Sequence, residues 1–262
     1  MAARDNWGWR ARIGMFIVGN EAVPEAEWWA MLPPDVSLHA ARVTAPAPWA
    51  AWRPDRSGVD LADDVLRGLR QFAAMTLSAA VLGHSSSSIL GGPGWDTATA
   101  SAMAEILGPA TFATTNGLDC LAALAAVGTK RPFLVLPPWF NDATVVAAVQ
   151  YYTAGGATPA AHLRYDPGPG WRDLPPGALY ANGMGLAQQV EPLHAQIRAN
   201  CPKDADAVLI AGTGFRCVAI IDALEQDLAR PVVTANQASL WHCLRRSGVR
   251  AGQAGYGQLL RS

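Results

Sequence analysis

Two stretches decide how this chain folds: AAVLGHSSSS (79–88) and DAVLIAGTGF (206–215). Each carries a short Ala-Val-Leu run straight into small and hydroxyl residues, and each is followed by a helical pattern. Continuous apolar runs without alternation fit strands covered on both faces, as in a parallel sheet, and the polar residues after them fit the turn into a helix. The near-repeat implies two similar α/β halves. Ligands of such sheets bind at the carboxyl ends of the strands, where these two turns fall.

Working outward, further apolar runs at 12–18, 36–43, 110–114, 132–137, 157–163 and 231–235 join those at 77–82 and 206–212 as expected strands. Helical patterns lie between them at 59–75, 95–107, 116–127, 141–154, 186–200, 216–228 and 237–246. The alternation predicts an α/β protein with parallel sheet covered on both faces, and the near-repeat predicts two such halves facing each other across a cleft. Residues 1–113 with 231–262 are expected to form one half, and 114–230 the other. TAPAPWAAWRPDRSG (44–58) and DPGPGWRDLPPG (166–177) read as loops over or beside that cleft, rich in Pro and Gly.

The 262 residues are half hydrophobic, enough for one large or two small cores, and the net charge is −1. No basic stripe points to nucleic acid. No apolar run reaches the roughly 18 residues that a membrane span needs. The opening MAARDNWGWRARIGMFIVG has its apolar residues too late and too few for a secretory signal, so a cytoplasmic protein is expected. The four cysteines, Cys120, Cys201, Cys217 and Cys243, form no C-x-x-C pair. Reduced, partly buried thiols are expected, with no metal site.

In GHSSSS, hydroxyls at a strand-to-helix turn can hold a carboxylate or an enediolate, and His84 can move a proton near neutral pH. The competing reading is a flexible serine loop with a surface histidine. AGTGFR (211–216) is a second anion-friendly turn, or a tight turn needing glycine for geometry alone. TTN (114–116) reads first as a helix cap. Among ten tryptophans, Trp49, Trp52, Trp139 and Trp171 fall in or beside the expected cleft loops. Trp49 and Trp52 there would line a pocket for a flat, apolar group.

Together these pieces resemble the maleate cis–trans isomerase and arylmalonate decarboxylase branch of the aspartate/glutamate racemase superfamily. The similarity runs from RIGMFIVGNEAVPEAEWWAMLPPDVSLHAARV (12–43) through GHSSSSILGG (83–92), GLDCLAAL (117–124) and PPWFND (137–142) to 206–245 and the closing AGYGQLLR. The resemblance implies cofactor-independent chemistry on a small carboxylate in the cleft, with an oligomer possible. Racemases and maleate isomerases of this superfamily use two cysteines, one from each half. Arylmalonate decarboxylases keep the second, which protonates an enediolate left by loss of carbon dioxide.

Here His84 stands where the first cysteine would be, and Gly212 where the second would be. Ser85 and Ser86 match the carboxylate-holding hydroxyls, and Thr114 and Thr115 the pair at the second anion-binding turn. Trp139 takes the place of a carboxylate-binding tyrosine. Asn20 fits the family's Ser-Ser-Asn turn only with a one-residue slip. Thr213 and Gly214 complete the expected substrate-binding set. Decarboxylation of a malonate-like acid with His84 as proton donor is the leading expectation. An isomerase or tautomerase with His84 as single base, a hydrolase or hydratase, and a non-catalytic carboxylate-binding protein stand beside it.

Overall fold

The computed structural model describes residues 6–250 and 254–261. The first half runs β1 (Ala11–Val18), α1 (Val23–Met31), β2 (Val36–Val43), β3 (Ala50–Trp52), β4 (Val59–Leu61), α2 (Asp63–Ala73), β5 (Ala79–Leu82), α3 (Ser85–Gly91), α4 (Trp95–Leu107), β6 (Phe112–Thr115) and α5 (Asn116–Ala126). The second runs β7 (Pro132–Leu136), α6 (Asp142–Ala154), β8 (Ala161–Arg164), α7 (Pro176–Leu179), α8 (Met184–Ala187), α9 (Val190–Asn200), β9 (Ala207–Ile210), α10 (Ile221–Leu228), β10 (Val232–Thr234) and α11 (Ala235–Arg246). A 3-10 turn at Val218–Ile220 leads into α10.

The strands sort into two parallel four-stranded sheets, ordered β2-β1-β5-β6 and β8-β7-β9-β10. Counted within its own half, each sheet has the order 2-1-3-4. The duplication read from AAVLGHSSSS and DAVLIAGTGF is therefore topological: β5 and β9 are the third strand of their halves. β5, β7 and β9 are buried along their whole length, which is why their sequences are apolar without alternation.

The strand pairing differs from the expected division at two places, the end of β6 and β10. Val232 pairs with Val208, so β10 belongs to the second sheet, not the first. The short α10 connection returns the chain to the strand beside β9. The following helix does cross over: α11 lies against α5, α1 and β5 of the first half. β6 runs to Thr115, so Thr114 and Thr115 close the first sheet. The 44–58 stretch is also more ordered than a loop. Ala50 pairs with Leu61 and Trp52 with Val59 in an antiparallel β3–β4 hairpin.

Local signals place the helix starts near the cleft. Thr115 caps α5 by accepting the Leu118 N–H, and Thr234 caps α11 in a reciprocal capping box with Gln237. The halves are then tied by buried polar contacts. Glu27 of α1, 5% exposed, accepts hydrogen bonds from the Cys217 N–H at 2.6 Å, the Val218 N–H at 3.0 Å and the Asn236 amide at 2.6 Å. One carboxylate thus joins α1 to the loop after β9 and to α11. Replacing it with Gln would set an amide N–H against the Asn236 amide. Glu27→Gln is expected to lower unfolding stability by about 2–4 kcal/mol in urea denaturation. A loss below about 0.5 kcal/mol, the size of an ordinary surface substitution, would contradict this role.

Candidate active site

In a sheet of order 2-1-3-4 the chain turns in opposite directions after the first and third strands, and a crevice opens between their carboxyl ends. In this protein those ends carry Gly19-Asn20-Glu21 after β1, Gly83–Ser86 after β5, Pro137–Trp139 after β7 and Gly212–Phe215 after β9. The two crevices meet. The Gly212 N–H donates to Ser85 Oγ at 3.2 Å, and the Ser85 hydroxyl donates to Asn116 Oδ1 at 2.6 Å. Asn116 in turn donates to the Ala235 carbonyl and to Ser239 Oγ, both at 2.9 Å. The loops after β5, β6, β9 and β10 are thereby fixed to one another through groups that are all buried.

His84 precedes α3 in extended backbone geometry, half-buried, with its ring stacked on Trp49 at 4.2 Å. Burial pushes its pKa down to about 3, so the imidazole is neutral near pH 7. Its Nδ1 lies 2.9 Å from Ser87 Oγ, which already accepts the Trp49 N–H at 3.0 Å. The Ser87 hydroxyl has a second lone pair and one proton, so it can pair with Nδ1 in either tautomer of the neutral ring.

Several expected binding residues keep a polar group for a ligand, and others do not. Ser86 is half-buried on the same turn as His84. Thr213 is 4% exposed and uses its backbone carbonyl to accept from Asn236. Trp139 packs edge-on against Tyr180 at 5.0 Å and Phe215 at 5.8 Å, forming an aromatic wall beside the Gly212–Phe215 loop. Thr114 and Thr115 are buried, and their hydroxyls donate to Asp119 at 2.7 Å and Asp96 at 2.5 Å. These threonines hold the α5 start and have no free proton for a substrate.

Asn20 is exposed, and its neighbour Glu21 takes the inward position. Trp49 is 1% exposed and donates its indole N–H to Ala45 O, so it supports His84 from within the core. Trp52 donates to Gly91 O and carries Arg56 over its ring, tethering the hairpin to the end of α3. A cavity of about 450 Å³ lies nearby among α3, α4, α5 and α6, lined by Gly94, Leu118, Leu121 and Tyr151 among others; neither His84 nor Gly212 is in its wall. Asp96 at its edge is satisfied by Ser88, Thr115 and Tyr151.

Glu21 is the site residue that sequence reasoning missed. It is 6% exposed, its Oε2 has no hydrogen-bond partner, and burial raises its pKa to about 7 despite the charge of Arg42. A Cβ on Gly214 would stand 2.4 Å from Glu21 Oε1 and 3.0 Å from Tyr180 Cε2, so glycine there leaves room for both. The available signal was a lone acid directly after an apolar strand at its carboxyl end. Gly212 has φ +105, and a Cβ there would lie 2.9 Å from Pro137 Cγ, so the backbone itself favours glycine where the resemblance would place cysteine. Among the described residues, no cluster of three or more His, Cys, Asp or Glu is placed to hold a metal ion.

The comparisons agree with this architecture. The family model of arylmalonate decarboxylase matches residues 186–260. No curated protein matches the sequence. Among solved structures, a glycine-to-cysteine variant of arylmalonate decarboxylase in its sulfate-associated form aligns with TM-score 0.74 at 20% identity, covering 96% of this chain and 100% of that one. Maleate isomerase from Pseudomonas putida aligns with TM-score 0.79 at 18% identity, covering 96% and 98%. Maleate cis–trans isomerase from Nocardia farcinica, bound to TRIS, aligns with TM-score 0.73 at 18% identity over 96% and 98%. These neighbours share the fold.

Two outcomes follow for variants of the site. Glu21 has a folded-state pKa of about 7 against 4.5 when unfolded. The folded state therefore holds the extra proton between those values, and its stabilising effect is full below pH 4.5 and lost as pH rises through 7. Thermal unfolding of Glu21→Gln should gain on wild type from pH 5 to pH 8, by on the order of 3 kcal/mol. A pH-independent difference would contradict a buried, proton-holding Glu21. Gly212→Cys should cost about 1–3 kcal/mol through backbone strain. Unchanged stability in denaturant titration would show that this backbone tolerates a side chain.

Proposed function

We propose that this protein is a cofactor-independent enzyme acting on a small carboxylate, and that its reaction is decarboxylation of a malonate-like acid through an enediolate. The reading is supported above all by the junction at Ser85 and Gly212, which gathers four strand-end loops at one place. The resemblance to decarboxylases and maleate isomerases supplies the class of substrate, and the residues of this chain select among the reactions.

Covalent addition to an alkene needs a thiolate. Cys120, Cys217 and Cys243 are buried and Cys201 is partly so, and burial pushes all four thiols upward, well away from ionisation at neutral pH. Cys217 has its N–H on Glu27, whose charge opposes a thiolate further. We take the positions of the family's two reactive cysteines to be those of His84 and Gly212. Decarboxylation makes smaller demands. The substrate's flat apolar side rests on the wall of Trp139, Tyr180 and Phe215, and the C–C bond to one carboxylate breaks with its electron pair passing into the other. The enediolate so formed carries its charge on oxygens, where His84 Nε2–H, Ser86, Thr213 and the Trp139 indole N–H would donate.

The isomerase or tautomerase reading asks His84 to remove a proton from carbon, and Nε2 would need a lone pair there. We take the tautomer in which Ser87 donates to Nδ1, which leaves Nε2–H to polarise a substrate oxygen and no base for carbon.

Proton NMR in deuterated water tests the reading, with phenylmalonate, methyl-phenylmalonate, maleate and simple 2-oxo acids as the panel. The expected result is loss of one carboxylate with one deuterium gained at carbon, and a fall of about 10²–10³ in kcat for His84→Ala, the size of losing one preorganised donor. Double-bond movement or exchange without carbon dioxide would overturn decarboxylation in favour of isomerisation.

A further inference from the structure

A neutral His84 raises a question of supply: the enediolate carbon must receive a proton, and an imidazole held neutral by burial is a poor source. Gly212 carries no side chain either. The structure contains another candidate beside Gly214 of the Gly212–Phe215 loop. Glu21 follows β1 at the first half's switch point, is turned inward, and meets Gly214 and Tyr180.

The surroundings of this carboxyl are not those of a structural ion pair. Arg42, whose charge reaches Glu21, directs its guanidinium to the backbone carbonyls of Gly19 at 3.3 Å and Glu21 at 2.7 Å and to the Glu25 carboxylate. Glu21 Oε2 has no partner, and the buried Tyr180 hydroxyl has none. Two unpartnered polar groups, buried side by side next to the loop that ends β9, are costly unless something binds between them. Glu27, by contrast, sits on the next turn of chain with three donors on its carboxylate and serves only the fold.

Resting on the decarboxylase reading, we propose that Glu21, with the Tyr180 hydroxyl beside it, is the catalytic acid that delivers the proton to the substrate carbon. In the step, the C–CO₂ bond breaks and its electron pair forms the enediolate, with carbon dioxide leaving. The enediolate carbon then takes the Glu21 proton as the pair returns to form C–H, and the Glu21 carboxylate recovers a proton from water. The sum is malonate dianion plus one proton giving monocarboxylate and carbon dioxide. Tyr180 donates to the transient Glu21 carboxylate or to the departing carboxylate.

The test measures kcat and KM for phenylmalonate from pH 5 to pH 9 in wild type, Glu21→Gln, Glu21→Asp and Tyr180→Phe, with far-UV circular dichroism confirming that each is folded. Wild-type kcat should fall above about pH 7, the range of the Glu21 carboxyl. Glu21→Gln should lose at least about 10²-fold in kcat with KM within threefold, the loss expected of a proton-transfer group. Glu21→Asp should recover part of it. If Glu21→Gln keeps wild-type kcat and the same descending limb, Glu21 is not the donor, while decarboxylation itself stands. If wild type releases no carbon dioxide, decarboxylation falls, and deuterium exchange at the α-carbon of phenylacetate decides the donor alone. Exchange lost in Glu21→Gln upholds the assignment of Glu21, and exchange unaffected or absent in both overturns it.

Discussion

One hydrogen bond organises the centre of this molecule: the Gly212 N–H on the Ser85 hydroxyl, at 3.2 Å, with Ser85 passing its own proton to Asn116. Each sheet on its own would open a crevice where its chain reverses direction. This contact joins the two switch points, and through Asn116 it fixes the loops after β5, β6, β9 and β10 to one another. Gly212 takes a positive φ of +105 at the same turn. A side chain at Gly212 would crowd Pro137, and the aromatic wall of Trp139, Tyr180 and Phe215 is built against that loop.

Much of this was legible in the sequence, because burial on both faces of a sheet leaves a plain mark. The apolar runs named the strands, and the paired Ala-Val-Leu motifs named the duplication that the common 2-1-3-4 order bears out. Less legible was whatever depends on which partner a group finds. Nothing in PVVTA says whether the strand joins the first sheet or the second; the short αβ connection from β9 decides that. TTN reads first as a cap and only by the resemblance as an anion site, and buried Asp96 and Asp119 claim both threonine hydroxyls. Trp49 and Trp52 were read as pocket walls because of the Pro-rich stretch around them, but the β3–β4 hairpin folds them onto α3. In the GNE turn a one-residue difference of register sends Asn20 outward and Glu21 in.

The protonation states follow from burial more than from neighbouring charges. His84 and Glu21 are both desolvated, and desolvation acts in opposite directions on a base and an acid: the imidazole loses its proton and the carboxyl keeps one. Below pH 7 the imidazole is neutral and the carboxyl is mostly protonated. Such a site is fitted to receive an anion without meeting a fixed negative charge, and it needs no thiolate. This accounts for a chain that shares its fold with cysteine-dependent enzymes and yet buries its own cysteines in the packing.

The central claim is that the substrate anion sits between His84 and the Gly212–Phe215 loop. A crystal structure with phenylphosphonate, a stable mimic of a flat carboxylate dianion, tests it most directly. The account predicts phosphonate oxygens within hydrogen-bond reach of His84 Nε2 and Thr213, with the phenyl ring toward Trp139. Density for the ligand instead in the cavity between Leu118, Leu121 and Tyr151, with the strand-end junction empty and unchanged, would contradict it.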